Sequence, residues 1–296
     1  TGAPLDVYVV VDSASAAAVG TFSLFTTLND IPPSLPPADN CNVGTTVPTL
    51  TSGVPISGTS LGAANDYGAG TSCSGTEGPE VVYAIDVHDQ RQLTAIVNPL
   101  GAWNPSLNLQ LAAGCVATGR VCLAGADASS SSGVGETVRY QNLSGATQTV
   151  YVVVESASTS ATGSGAFTLT ASVGVLPAGE VCSSAEVISS SPFSVTSSTV
   201  GYFSNYGAGT SCSGTTGPDR VYSVLVGAGQ TITATVTPNT SWNPSLNLQL
   251  AAGCVSTGRV CLAGSDSGFS GQPDTATWTN GGTTDVTVFV VVESYS

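Results

Sequence analysis

Lysine and methionine are absent from this 296-residue chain, and charged residues make up only 8% of it. Its five cations are all arginine, against 19 acidic residues, which gives a formal net charge of −14. Nucleic acids and anionic membrane surfaces are bound through clusters of Lys and Arg, so this composition argues against both partners. The chain also lacks a signal peptide and any apolar run near the roughly 18 residues of a spanning helix. We therefore expect no membrane insertion, and a chain that is a processed product or an internal piece of a longer protein.

A repeat with a fixed period is the most informative feature that is present. Residues 67–76, YGAGTSCSGT, recur at 206–215, and residues 103–116, WNPSLNLQLAAGCV, recur at 242–255. The offset is the same for both segments (206 − 67 equals 242 − 103). A fixed period predicts an array of like modules. It also means that a site important to each module should occur in both copies.

The late part of the module occurs a third time. Residues 150–156, VYVVVES, recur with one substitution each at 288–294 and at 7–13. We predict three segments on this basis: residues 1–29 as the C-terminal strands of a preceding or neighbouring repeat, 30–174 as a first complete repeat that opens with a Pro-rich spacer over 29–38, and 175–296 as a second repeat without its final strand.

Cysteine occurs eight times, four per repeat, at nearly the same spacing. An even, repeated set predicts disulfides formed in an oxidising compartment, and the absence of C-x2-C pairs argues against zinc. Four cysteines allow three pairings per repeat. We expect the two that lie seven residues apart to pair across one turn, which leaves the other two to tie the start of each module to its interior. The expected bonds are Cys41–Cys73, Cys115–Cys122, Cys182–Cys212 and Cys254–Cys261.

Strand patterns dominate the chain. Polar and apolar residues alternate over residues 106–111, 245–250 and 231–236, which is the period of a half-buried strand. The Val-rich run at 7–11 and its copies favour a strand buried on both faces. Val and Thr favour strands, while Gly, Ser and Pro favour the turns between them. Many short strands with frequent breaks predict an all-β protein built from antiparallel β-sandwiches.

The order of these motifs resembles the bacterial pre-peptidase C-terminal domain family. Residues 78–83 and 217–222 are similar to the family's G-x-D-x-x-Y strand entry, the Val-rich run to its Y-x-V-x-V-D strand, and residues 165–169 to its G-x-F-x-L strand. The resemblance covers nearly all of the chain. It implies tandem jelly-roll-like β-sandwiches in a secreted or cell-surface bacterial protein, without catalytic activity. Some members bind collagen, polysaccharide or calcium. The chain departs from the family in having no peptidase domain and in carrying near-copies in tandem.

One motif is typical of a hydrolase. Residues 58–62, GTSLG, fit the G-x-S-x-G nucleophile pattern, which requires a strand-to-helix turn and a histidine base. The only histidine is His88, whose counterpart in the second repeat is Gly227, and Ser60 is matched there by Thr199. Because the pair is missing from one copy, we predict that the protein is not an enzyme and that His88 is a solvent-facing loop residue.

Acidic residues recur at three positions. Paired carboxylates hydrolyse glycosides when they face each other across a cleft, and calcium takes six to eight oxygen ligands. No D-x-D-x-D-G loop is present. We interpret these acids as hydrogen-bonding groups at strand ends and turns, expect no cofactor, and keep calcium as the alternative. The recurring acids are Glu80 with Asp219, Asp127 with Asp266, and Glu155 with Glu293.

Trp103 and Trp242 precede Asn-Pro-Ser in the two repeats. An exposed Trp would contact a ligand such as a sugar ring, whereas a Trp beside a strand start commonly caps a core, and we favour the cap. Asn142 and Asn239 begin N-x-S/T glycosylation patterns, which carry little weight in a bacterial protein.

We predict from this a non-catalytic extracellular structural protein, whose β-sandwich modules join head to tail into a surface fibre or filament. Its partners would be copies of itself or adjacent repeats. The alternative is a carbohydrate- or protein-binding accessory module of a large secreted hydrolase, with glycans as partners. An enzyme would need a reactive residue in both copies, and the sequence has none.

Overall fold

The protein is all-β, as the alternating patterns predict. The computed structural model describes residues 37–41, 45–66, 73, 78–112, 121–157, 163–206, 217–250 and 260–295. The predicted segment 1–29 lies outside them. Within these ranges the helical structure is limited to single 3-10 turns such as Cys182–Ser184, and no helix could cross a membrane.

The first unit contains eight strands in two four-stranded sheets. One sheet has the order β1-β8-β3-β6 and the other β2-β7-β4-β5, and every pairing within them is antiparallel. Eight strands divided in this way form a jelly-roll sandwich. The strands are β1 (Ile56–Thr59), β2 (Glu80–Val87), β3 (Arg91–Pro99), β4 (Pro105–Leu111), β5 (Cys122–Ala126), β6 (Glu136–Asn142), β7 (Gln148–Ser156) and β8 (Ala166–Val175).

The core of the first unit lies between these two sheets. Alternate side chains of facing strands meet there, and each large one that is fully buried stabilises the fold by about 1.5–3 kcal/mol. The Val-rich strand β7 is buried along most of its length, as predicted for its sequence type. The largest fully buried apolar side chains of this core are Tyr83, Leu93, Leu107, Leu109, Phe167 and Leu169.

The polar face of β4 is buried as well, which differs from the half-buried strand that its alternation predicts. Ser106, Asn108 and Gln110 are as inaccessible to solvent as the leucines between them. The reason is that Asn108 donates its amide to the Glu155 carboxylate on β7 at 2.9 Å, and the stretch around residues 38–41 packs over the same side of the sheet. The hydrogen bond from Asn108 to Glu155 offsets part of the cost of burying this face.

The second unit repeats one sheet and half of the other. Its larger sheet has the order β13-β12-β15-β10-β9, which corresponds to β5-β4-β7-β2 with the short strand β9 added in parallel to β10. Its other sheet has two described strands, β11 and β14, which correspond to β3 and β6. The strands are β9 (Glu186–Ile188), β10 (Asp219–Val226), β11 (Thr231–Val236), β12 (Pro244–Leu250), β13 (Cys261–Ser265), β14 (Asp274–Thr279) and β15 (Val286–Ser294).

One disulfide lies entirely within the described residues, and it joins Cys73 to Cys122. The predicted bonds Cys41–Cys73 and Cys115–Cys122 are therefore wrong. Cys122 begins β5 opposite Gln110 of β4, and the Gln110 amide contacts the Cys73 sulfur at 3.9 Å. The chain before β2 thus lies over the edge formed by β4 and β5. The prediction had paired cysteines that are close in sequence, and sequence distance does not show this contact. Cys41, Cys182 and Cys261 are also disulfide-bonded.

We expect non-reducing peptide maps to contain a Cys73–Cys122 pair and, because both cysteines recur at the repeat period, a Cys212–Cys261 pair. The remaining bonds would be Cys41–Cys115 and Cys182–Cys254. The Cys73–Cys122 bond spans 49 residues, for which chain entropy gives about 4 kcal/mol of stabilisation. Reduction should therefore lower the melting temperature sharply, and a linked Cys115–Cys122 peptide would contradict the assignment.

Candidate interaction site

Two of the three recurring acid pairs are brought together by the sheet. Glu80 on β2 lies directly opposite Glu155 on β7, and both carboxylates are buried. Glu80 accepts a hydrogen bond from the Asp66 backbone amide at 2.5 Å, and Glu155 accepts one from Asn108. These side chains therefore tie a loop and two strands to one point of the sheet.

The second unit builds the same cluster. Asp219 lies opposite Glu293, and Asp219 accepts hydrogen bonds from the backbone amides of Asn205 and Tyr206 at 2.7 and 2.8 Å. Glu293 accepts from the Asn247 amide at 3.1 Å. Both carboxylates are buried, like those of Glu80 and Glu155. Across the described residues, no three His, Cys, Asp or Glu side chains converge as metal ligands.

Asp127 and Asp266 are not part of this cluster. Asp127 follows β5 in an exposed loop and contacts the Asn104 amide at 3.4 Å. Asp266 follows β13, where burial and the nearby charge of Asp274 raise its pKa. Asp127 and Asp266 occupy equivalent positions, each directly after the corresponding strand of its unit.

The hydrolase motif has a structural explanation. Ser60 is fully buried, and its hydroxyl accepts a hydrogen bond from the Gly165 amide at 3.2 Å. This contact anchors the start of β8 against the end of β1. His88 is exposed and contacts the Thr147 hydroxyl at 2.8 Å.

Trp103 holds the start of β8 from the other side. Its indole N–H donates to the Ala166 carbonyl at 3.0 Å, and its ring lies 6.3 Å from the Phe167 ring. Gly165 lies against the indole so closely that a Cβ there would be 2.6 Å from the ring. The glycine of this Gly-x-Phe sequence is therefore required by the tryptophan.

Trp242, the counterpart of Trp103, lies in a different environment. It is partly exposed and lines a groove of about 810 Å³ in the second unit. The groove runs along β11, whose outer edge has no partner strand among the described residues. Apolar side chains of both sheets form its floor, including Ile232, Val236, Leu246 and Val290. This groove is the candidate interaction site.

The open edge of β11 leaves its apolar side chains partly exposed to solvent. In the first unit, Leu93, Ala95 and Val97 of β3 are 0% exposed because β8 covers them. Their counterparts on β11 are all partly exposed. Exposed apolar surface next to an unpaired strand edge favours association with another strand.

The opposite wall of the groove is also incomplete. In the first unit, Ile56 belongs to β1, pairs with Leu169 of β8 and is 5% exposed. Its counterpart in the second unit is Val195, which is 49% exposed and lies in a stretch without strand pairing. Strand β1 is thus formed in the unit where β8 lies beside it, whereas the stretch around Val195 has no partner strand among the described residues.

Sequence comparison missed two further pairs of acids that close loops. Asp39 accepts the Ala64 amide at 2.7 Å and Glu180 accepts the Phe203 amide at 3.0 Å, each just before the first cysteine of its unit. Burial raises the pKa of Glu180, against the opposing hydrogen bonds it accepts. This pair is not evident in the sequence repeat for two reasons. Glu180 lies slightly beyond one repeat period from Asp39, and the residue type changes from Asp to Glu.

The second missed pair consists of Glu136 and Asp274, the first residues of β6 and β14. Glu136 accepts the amides of Ala128 and Ser129, and Asp274 accepts those of Ser267 and Gly268. Asn142, at the end of β6, is buried and donates to the carbonyls of Val87 and Ala146, so its side chain is engaged within the fold.

Comparisons with known proteins do not identify the chain. No family model matches it, and no curated protein matches it. Among solved structures, the crystal structure of the STIV MCP is similar at 10% identity with a TM-score of 0.17, over 82% of this chain and 97% of that chain. A similarity of this degree supports no statement about function.

Asp274 provides a test of the loop-closing acids. Burial disfavours its ionised form, but hydrogen bonds from Ser265, Ser267 and Gly268 outweigh burial and lower its pKa below the ordinary 3.8. A lowered pKa stabilises the folded state above pH 3.8, and this contribution is lost as the pH falls below that value. We expect Asp274→Asn to reduce the free energy of unfolding at pH 7 by about 1–3 kcal/mol.

Chemical denaturation of the two proteins across pH would measure this difference, which should shrink in acid. Asp285→Asn is the matched control, because Asp285 is exposed and accepts one amide at 3.2 Å. A deficit in Asp274→Asn that is the same at pH 7 and pH 2 would contradict a role for its charge.

Proposed function

We propose that the chain is a non-catalytic structural protein whose β-sandwich units join head to tail into an extracellular filament. The observation that carries the proposal is the open edge of β11 above the apolar groove of the second unit. A heterologous contact that does not close on itself propagates as a filament. Disulfide bonding supports an extracellular location, since such bonds persist in oxidising compartments.

The repeated architecture gives further support. Both units place a buried acid pair at the same register of the same two strands, and both enter the next strand with Trp-Asn-Pro-Ser. Units with the same architecture can make the same contact repeatedly along a filament. Contacts between the two units of the chain support a serial arrangement: Arg139 of the first unit donates to the Gly201 carbonyl of the second at 3.1 Å, and Ser183 donates to Gln90 at 2.5 Å.

An accessory module that binds carbohydrate or protein is the second candidate function. Trp242 at the rim of the groove favours it, because a partly exposed indole can stack on a sugar ring. In this case the groove would bind a soluble ligand without assembly of the chain.

Negative-stain electron microscopy of the native protein, together with light scattering over a concentration series, tests the two candidates. A structural protein should form unbranched linear assemblies whose length grows with concentration. A binding module should stay monomeric and give a saturable signal on a glycan array. Monomers at every concentration, with no assemblies in the native material, would overturn the filament.

A further inference from the structure

We propose that the groove of the second unit is filled by residues 20–28 of a second copy of the chain, which add as a β-strand along β11. The inference rests on the proposed filament and names the contact that would build it. Strand β8 of the first unit is the template, because it lies between β1 and β3 in the place that is open beside β11.

The sequence of residues 20–28, GTFSLFTTL, matches the start of β8 and the residue before it, GAFTLTASV at 165–173. Gly20 takes the position of Gly165, Phe22 that of Phe167 and Leu24 that of Leu169. These are three of the positions at which the first unit restricts the residue type; Ala171 is buried as well and is matched by Thr26. A side chain at Gly165 would collide with Trp103, and Phe167 and Leu169 are fully buried.

The groove offers the complementary contacts. Trp242 is the sequence counterpart of Trp103, so in the filled groove its indole N–H would donate to the Thr21 carbonyl, as Trp103 donates to Ala166. Tyr222 corresponds to Tyr83, whose ring meets Phe167 edge-on at 6.4 Å. Val236 corresponds to Val97, which lies opposite Leu169 in register. Phe22 and Leu24 would therefore meet Tyr222, Trp242 and Val236.

Entry of the strand requires one side chain to move. Phe193 is 44% exposed and its ring lies 6.2 Å from Tyr222, where the template places Phe167 against Tyr83. Phe193 must leave this position when Phe22 arrives. The stretch around Val195 can then pair with the outer edge of the new strand, as β1 pairs with β8 in the first unit.

A second copy is the occupant that the chain itself supplies. The first unit already has its own strand, β8, in the corresponding place, so residues 20–28 are not needed there. The groove has an apolar floor, and strand addition provides backbone hydrogen bonds for an edge together with pockets for alternate side chains. The resulting contact joins the early part of one copy to the second unit of the next.

Two disabled variants of the full chain test the proposal. Phe22→Asp/Leu24→Asp removes the donor strand and leaves the groove intact. Ala234→Arg blocks the groove and leaves the donor intact; Ala234 is partly exposed, so the isolated unit should tolerate the change. Each variant alone should be monomeric by sedimentation velocity, with self-association weakened by about 100-fold or more. An equimolar mixture should give dimers and nothing larger, because only one competent interface remains.

The matched controls are an exposed residue of β11 that does not line the groove and a donor residue whose side chain would face outward in the added strand. Thr231→Arg on β11 and Ser23→Asp on the donor should assemble like the unaltered chain. Circular dichroism should show that every variant retains its β-structure, which removes misfolding as an explanation. A synthetic peptide of residues 18–30 should shorten assemblies of the unaltered chain and change its tryptophan fluorescence, and this change should be lost in Trp242→Phe.

The outcomes separate this inference from the proposed function. Assembly that persists in both disabled variants would support a filament but overturn the strand contact. An unaltered chain that is monomeric at all concentrations would overturn the filament. Acrylamide quenching of tryptophan fluorescence would then show whether the groove of that monomer is already filled. If the synthetic peptide of residues 18–30 leaves the quenching unchanged, a segment of the same chain fills the groove. In that case the proposed exchange of a strand between copies is wrong.

Discussion

Closure of the sheet that contains β3 is the constraint on which the rest of this structure depends. In the first unit, β8 lies in the interior of that sheet, so it covers β3, creates the edge on which β1 forms, and buries Phe167 and Leu169 between the sheets. Trp103, Ser60 and Gly165 all converge on its first residues. In the second unit, β11 has no such neighbour among the described residues, and the apolar residues at the corresponding positions are partly exposed.

The dependence of β1 on β8 illustrates the cooperativity of strand pairing. Residues 56–59 form a strand because a partner satisfies their backbone hydrogen bonds and covers Ile56. The corresponding stretch of the second unit, around Val195, has a similar apolar content but no such partner among the described residues, and it remains irregular. A strand is thus a property of a pair and not of its own sequence alone.

The buried acids set the second constraint. Carboxylates removed from water are costly unless hydrogen bonds compensate them. Both units place an acid on adjacent strands at the same register, Glu80 with Glu155 and Asp219 with Glu293, and supply backbone amides and an Asn side chain as donors. This network attaches the loop before β2 or β10 to the outer face of the sheet, which explains why the polar side chains of β4 are buried.

The sequence by itself determined the repeat, the all-β class and the position of the principal strands, because alternation over residues 106–111 and 231–236 is a local property of a pleated chain. It also identified Trp103 and Trp242 and three pairs of recurring acids, since these recur at the repeat period. Only the tertiary structure decided the disulfide partner of Cys73, the burial of the polar face of β4, and the difference between the two tryptophans. Each of these depends on which strands become neighbours across long stretches of chain. The period also concealed Asp39 with Glu180, because the loops around them differ in length, whereas hydrogen bonding to equivalent backbone amides makes the pair evident in three dimensions.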